Sequence, residues 1–299
     1  MRITPNITSQ NSLYNIQQAR TQMDKTQEKI ASGKNYNRPS DDPVTARLLV
    51  NFSDQLQVGE QYKSNMTKAN IWLNVSETAL EGMSATMSEI KKLTSTLTNG
   101  TDITAVRQNA VSQLQTFKQQ LIDYGNTQLN GTYVFAGTTD NQSVPFSGST
   151  YSGDDNPLDI QIDNSSTQTM NITGGRLLKG TNAVPHQYGS TDILTEIDNL
   201  ITAVNANDIT NIQVGAQKME DGANQITNAI TDVGGRLKRI ETMQQFNATT
   251  KSVIQGVMSN VQNADYAKLA IEMQQQELAF EATLSSTAKV TQMSLLDYL

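Results

Sequence analysis

The chain has no cysteine and only one histidine among its 299 residues. Without cysteine there are no disulfides and no thiolate metal site. Imidazole chemistry would rest on His186 alone, in a Val-Pro-His-Gln-Tyr-Gly stretch that reads as loop and offers no convergent partner. Basic charge is also short: the net charge of −7 leaves no cationic face for phosphates, which argues against a nucleic-acid partner. No apolar run approaches the roughly 20 residues that would cross a bilayer, and Met1 to Gln18 lacks the apolar core of a cleaved signal peptide. Phosphate loops are missing as well, since no G-x-G-x-x-G occurs and Gly33-Lys34 has no upstream glycine. The carboxylates Asp154, Asp155, Asp159 and Asp163 do not follow the spacing of a calcium loop and read as solvated loop side chains. Nothing here assembles an active site or calls for a cofactor or metal, so the expected protein is not an enzyme.

Apolar residues are scarce too, at 36%, with aromatics at 5%. So lean a composition suits long paired helices, which bury a narrow stripe and leave most positions wet. The heptad pattern agrees. From Ile212, alternating steps of four and three residues reach Ala216, Met219, Ala223, Ile226, Ile230, Val233, Leu237 and Ile240. The pattern crosses Gln244, Asn247 and Lys251 and recovers at Ile254, Met258 and Val261. A second seam runs from Tyr62 through Met66, Ala69, Leu73, Ser76, Leu80, Met83, Met87, Ile90 and Thr94 to Leu97. A third takes in Ile103, Val106, Ala110, Leu114, Phe117, Leu121 and Tyr124, with Asn99-Gly100 stopping one helix and Thr101 or Asp102 capping the next. These helices can share one core, with Ala69, Ser76, Ala110, Ala216 and Ala223 permitting close approach, and Trp72 on its flank. Gly234-Gly235 should cost about 2 kcal/mol inside a helix, which predicts a closely approaching neighbour or a bend there.

The chain ends repeat the habit weakly. Leu13, Ile16, Met23 and Ile30 keep heptad spacing if Arg20 and Gln27 fill the seam between them. Tyr266, Ala270, Met273, Phe280 and Leu284 do so across Glu277. Residues 1–50 carry net +3 and residues 251–299 net −2, which favours their lying side by side. Between helices, Gly33 should end the first one, and Asp42 should cap a second that begins at Pro43. From about Gly131 to Gly189 helical period gives way to Gly, Ser, Thr, Asn and Asp, with short strands expected at Thr132–Phe135, Leu158–Ile162 and Thr169–Ile172. Helical spacing returns with Ile193, Leu194, Ile197, Leu200, Ile201 and Val204. The expected fold is mainly α: an elongated rod of long coiled-coil helices with a small inserted β-rich domain at the tip. Its parts are a terminal helical domain (1–45 and 258–299), a helical bundle (46–133 and 190–257) and the β-rich insertion (134–189).

The stretch Ser32-Gly33-Lys34-Asn35-Tyr36-Asn37-Arg38-Pro39-Ser40-Asp41-Asp42-Pro43 resembles the hallmark of the flagellin superfamily, and in particular its hook-associated junction branch. Further similarities are Met1-Arg2-Ile3-Thr4, Asn130-Gly131-Thr132-Tyr133-Val134-Phe135-Ala136-Gly137, Val233-Gly234-Gly235-Arg236-Leu237, Asp265-Tyr266-Ala267 and Ser294-Leu295-Leu296. The resemblance covers roughly 1–137 and 190–299 and leaves the β insertion unmatched. It implies a flagellin-like subunit exported unfolded by the flagellar type III apparatus, with an export chaperone, and assembled extracellularly as a ring between the first hook-associated protein and flagellin. It further implies that Gly33, Asp41, Asp42 and Pro43 belong to the interdomain connector. Leu13, Ile16, Met23, Ile30, Tyr266, Met273, Phe280 and Leu284 would build the contacts between copies.

The nearest alternative is flagellin itself, but Pro43 follows the paired aspartates where flagellins usually resemble Asp-Asp-Ala-Ala-Gly. A chemoreceptor-like helical hairpin would lack the β insertion, and a hydrolase would need a convergent catalytic set. Each terminal helix buries too little apolar surface to offset about 1–2 kcal/mol of backbone ordering per residue. Limited proteolysis of the soluble monomer should therefore trim both ends to a fragment of about 45–255, read by mass spectrometry; full protection of both termini would contradict this.

Overall fold

The computed structural model describes residues 5–98, 104–138, 144–180 and 187–296. Met1-Arg2-Ile3-Thr4, the expected stop and cap at 99–103, and His186 lie outside them. Among the described residues six helices dominate: α1 (Pro5–Ser32), α2 (Pro43–Thr98), α3 (Thr104–Gly125), α4 (Ile193–Ala206), α5 (Ile209–Gln262) and α6 (Tyr266–Leu296). Between α3 and α4 come three two-stranded antiparallel hairpins, β1–β2 (Gln128–Leu129, Thr132–Tyr133), β3–β4 (Phe146–Ser147, Thr150–Tyr151) and β5–β6 (Asp159–Asp163, Ser166–Thr169), followed by a π-helical turn at Gly175–Lys179. The fold is mainly α with a small β-rich part. The chain divides into two compact units, Met1–Gln57 with Thr249–Leu299, and Val58–Ala248.

In the second unit α2 obeys its heptads closely: Met66, Ala69, Leu73, Ser76, Leu80, Met83, Met87, Ile90, Thr94 and Leu97 are all buried. In α3 Ala110, Leu114 and Leu121 are buried, Phe117 and Tyr124 are half-buried, and Val106 stays exposed. Tyr124 lies against Gly82, where a Cβ would stand 2.5 Å from its ring. Trp72 is half-buried on the flank of this core. Asp192 caps α4 by accepting the N–H of Thr195 at 3.1 Å, and left-handed Asn207 ends it.

α5 departs from its expected seam in one respect. Ile212, Met219, Ile226, Val233 and Ile240 are buried as expected, but the alternate positions that bury are Gly215, Gly222 and Ala229. Ala216, Ala223, Ile230 and Leu237 are only half-buried. The reason is α4, which lies along the glycine side. A Cβ on Gly215 would stand 2.8 Å from Leu200, and one on Gly222 would stand 2.9 Å from Ile193. The close-approach residues of α5 are thus these glycines rather than Ala216 and Ala223. Gly234 and Gly235, by contrast, face open space in an unbroken helix, so among the described residues no close neighbour stands against them.

The β5–β6 hairpin is tied to the helices of this unit. Asn65 of α2 donates to the carbonyl of Gln161 at 2.8 Å, and Arg239 of α5 donates to the Ser166 hydroxyl at 2.7 Å. Strand pairing corrects the expected limits too: β6 begins at Ser166 rather than Thr169, and β3–β4 was not foreseen. Asn130 and Gly131 both adopt positive φ, 51° and 80°, the geometry of a two-residue Asn-Gly hairpin turn between β1 and β2. Asp154 is no free loop carboxylate. It accepts the N–H of Thr138 at 2.7 Å, the Thr138 hydroxyl at 2.8 Å and the Asn156 side chain at 3.1 Å, pinning the turn after β2. Burial works against its charge, yet these hydrogen bonds hold its carboxyl below the usual range.

Charged and amide side chains tie the irregular segment to the bundle. Lys118 of α3 and Ser149 both donate to Asp198 of α4, at 2.6 and 2.7 Å. Gln225 of α5, only 1% exposed, accepts the N–H of Thr191 at 3.1 Å and donates to the carbonyls of Leu177 (2.7 Å) and Thr191 (3.1 Å). Replacing Gln225 with Leu would leave those three backbone groups buried and unpaired. Gln225→Leu should destabilise this unit by about 2–3 kcal/mol, lowering its melting temperature by roughly 5–10 °C in calorimetry; an unchanged melt would show that the amide is dispensable.

Candidate assembly interface

In the first unit α1 and α6 run side by side. They are antiparallel, because Gly33 at the end of α1 meets Ala264 before α6 begins, while Ser12 and Asn15 line a groove with Thr283 and Thr287. The two breaks in helical structure are hydrogen-bonded to each other. Asn35 N–H donates to Gln262 O, and Ala264 N–H donates to Gly33 O, both at 2.9 Å, around a bridge between Lys34 and Asn263. The Asn35 side chain adds a bond to the Asn263 carbonyl at 3.0 Å. Gly33 is favoured by its φ of +69°, and the Tyr266 hydroxyl lies against it, 2.7 Å from where a Cβ would stand.

The connector caps its neighbours as its sequence predicts. Asp42 Oδ1 accepts the N–H groups of Val44 (3.1 Å) and Thr45 (3.0 Å) ahead of α2, whose first residue is Pro43. Asp41 Oδ2 accepts the N–H of Arg38 at 3.1 Å and closes the turn between them. Asp265 does the same service for α6, accepting from Ala267 at 2.9 Å and Lys268 at 3.2 Å.

The facing side chains of α1 and α6 follow another phase than the apolar residues suggest. On α1 the inward positions are Ser12, Ile16, Ala19, Met23, Thr26 and Ile30, so Arg20 and Gln27 stay exposed and Leu13 is 57% exposed. On α6 they are Leu269, Met273, Gln276, Phe280, Thr283 and Thr287, while Tyr266, Ala270, Glu277 and Leu284 are exposed. Of the eight residues expected at contacts between copies, Ile16, Met23, Ile30, Met273 and Phe280 are thus half-buried inside the α1–α6 pair. Leu13, Tyr266 and Leu284 are exposed. The phase differs because small and hydroxylic side chains share the seam with Ile16, Met23, Ile30, Leu269, Met273 and Phe280, and Gln276 Oε1 is buried and unpaired among the described residues there. Large apolar side chains stand outside: Tyr14 on α1, and Ile271 and Leu278 on α6, the last 69% exposed. These three went unread in the sequence, although Ile271 and Leu278 are one heptad apart.

Residues 3–140 match the family described as the bacterial flagellin N-terminal helical region. Over 313 aligned residues the chain is 24% identical to flagellar hook-associated protein 3 of Salmonella typhimurium strain LT2, covering 99% of this chain and 98% of that protein. The chain is similar to hook-associated protein 3 along its length. It is also 22% identical to flagellin of Bacillus subtilis strain 168 over 308 residues, 98% of this chain and 97% of that one. Among solved structures, a putative flagellar hook-associated protein from Vibrio parahaemolyticus superimposes with a TM-score of 0.65 at 20% identity, over 75% of this chain and all of that one, which establishes a shared fold. Similarity to hook-associated protein 3 thus joins the connector and both chain ends in one alignment.

The cap at Asp42 gives a pH test. The Thr45 side chain and the N–H groups of Thr45 and Val44 lower its pKa in the folded state. A depressed carboxyl contributes stability that is fully present above its unfolded pKa and is lost as pH falls through the folded value. Protection of the Val44 and Thr45 amides in hydrogen exchange should therefore hold down to about pH 4 and fall below it. Asp42→Asn should remove that pH dependence while keeping the cap, and a fall at neutral pH in the unmodified chain would contradict it.

Proposed function

We propose that this chain is a structural subunit of the bacterial flagellum that forms the junction between the hook-associated region and the flagellin filament. The observation that carries the reading is the alignment with hook-associated protein 3, which spans 99% of the chain, including both terminal helices. It acts without catalysis. Its work is to present one surface to each neighbour: further copies of itself in a ring, the first hook-associated protein on one side and flagellin on the other. It reaches that place through the flagellar export apparatus, with an export chaperone.

The assembly surface combines two sets of residues. Ile16, Met23, Ile30, Met273 and Phe280 hold α1 against α6. Leu13, Tyr14, Tyr266, Ile271, Leu278 and Leu284 stand outside that pair as apolar side chains without cover in a single copy, and neighbouring copies bury them. Gly33, Asp41, Asp42 and Pro43 fix the connector through which the terminal helices join α2. Leu278→Asp should leave the melt of the soluble monomer unchanged and abolish filament attachment, seen by electron microscopy of motile cells. A drop in monomer stability, or normal filaments, would contradict the assignment of this residue.

Flagellin is the second reading, favoured by the match to the Bacillus subtilis protein. Gene deletion separates the two. A junction protein predicts cells that retain hooks, lack filaments and shed intact flagellin into the medium. Filament loss with no flagellin left in cells or medium would identify the chain as the filament subunit instead.

A further inference from the structure

Apart from the terminal helices, the second unit carries a groove of about 580 Å³ between strand β6 and helix α5. Its strand side is an open sheet edge. Met170 N–H donates to Leu158 O at 2.9 Å, and antiparallel alternation then turns the N–H and C=O of Thr167 and Thr169 away from β5. That edge faces α5, because the Thr169 carbonyl accepts from Arg236 Nη1 at 3.2 Å. On the opposite wall, between the side chains of Asn228, Thr231, Asp232, Arg236 and Arg239, Gly235 has no described atom within 4 Å of where its Cβ would stand. Gln168, only 5% exposed, lines the same groove, and its Oε1 is buried without a hydrogen-bond partner. At one end, among the described residues, Arg239 binds only the neutral Ser166 hydroxyl at 2.7 Å, whereas the charge of Arg236 is matched by Asp232 at 2.6 Å.

We propose that this groove binds an extended, acidic peptide segment of a neighbouring protein by strand addition to β6. The chemistry follows from the groups present. A strand lying against Thr167 supplies the carbonyl and N–H that its outward backbone groups lack, and a further peptide N–H meets Gln168 Oε1. An acidic side chain on that strand meets Arg239, the guanidinium without a carboxylate. The glycine at 235 leaves the space that the incoming backbone occupies, which gives a role to a residue whose helix propensity otherwise counts against it. The inference stands apart from the junction reading, since it rests on the groove alone.

The test is amide NMR of the full chain titrated with acetyl-Val-Glu-Val-Thr-amide and with its Glu→Lys counterpart. Saturable shifts at Thr167, Gln168 and Gly235 are expected, with the lysine peptide binding at least tenfold more weakly. Gly235→Leu should abolish them by filling the groove, and Arg239→Gln should erase the preference for the acidic peptide without unfolding the hairpin. Three results would overturn the proposal: no saturable shift at millimolar peptide, the same shifts produced by free glutamate, which would mark a simple anion site, or the same shifts produced by maltose, which would mark a polyol site. Binding that survives Gly235→Leu would also overturn it.

Discussion

Everything distinctive about this molecule depends on how α1 meets α6. Two helices of this length would ordinarily bury their largest apolar side chains on each other. Here the shared seam holds Ser12, Ala19, Thr26, Gln276, Thr283 and Thr287 between a few larger residues, and Leu13, Tyr14, Ile271 and Leu278 remain outside. The small residues limit the apolar area that the seam removes from water, and the outer residues leave apolar surface exposed on this pair.

The second unit is built on the opposite principle. Its core is closed by dense heptads on α2, by the approach of α4 to Gly215 and Gly222, and by Gln225, which satisfies three backbone groups of the irregular segment. The β5–β6 hairpin and the residues after it are held to α2 and α5 by Asn65, Arg236 and Arg239. Between α1 and α2, and again between α5 and α6, the helices stop at the same level, where Lys34 and Asn263 pair as extended backbone. Gly33 and the aspartate caps make those stops sharp.

What could be read in the sequence follows the density of apolar residues. Along α2 the apolar residues are frequent enough to leave one phase only, and the expected seam is the buried one. On α5 the same counting passed over Gly215 and Gly222, because a glycine has no apolar side chain to score and reveals its role only when Ile193 and Leu200 lie against it. On α1 and α6 two phases compete, and choosing the more apolar one placed Leu13 and Leu284 in a seam that hydroxyls occupy. The caps at Asp42 and Pro43 and the stop at Gly33 were legible since they depend on local backbone chemistry alone. The Phe146–Tyr151 hairpin was not, for it is two residues wide and is set by Phe146 packing against Gly125 and Gly174.

Hydrogen exchange along α1 and α6, compared between the monomer and the junction assembled in isolated flagella, tests the central claim most directly. The account predicts rapid exchange of both helices in the monomer and strong protection in the assembly, with Val58–Ala248 protected in both. Equal, strong protection of α1 and α6 in the isolated monomer would contradict it.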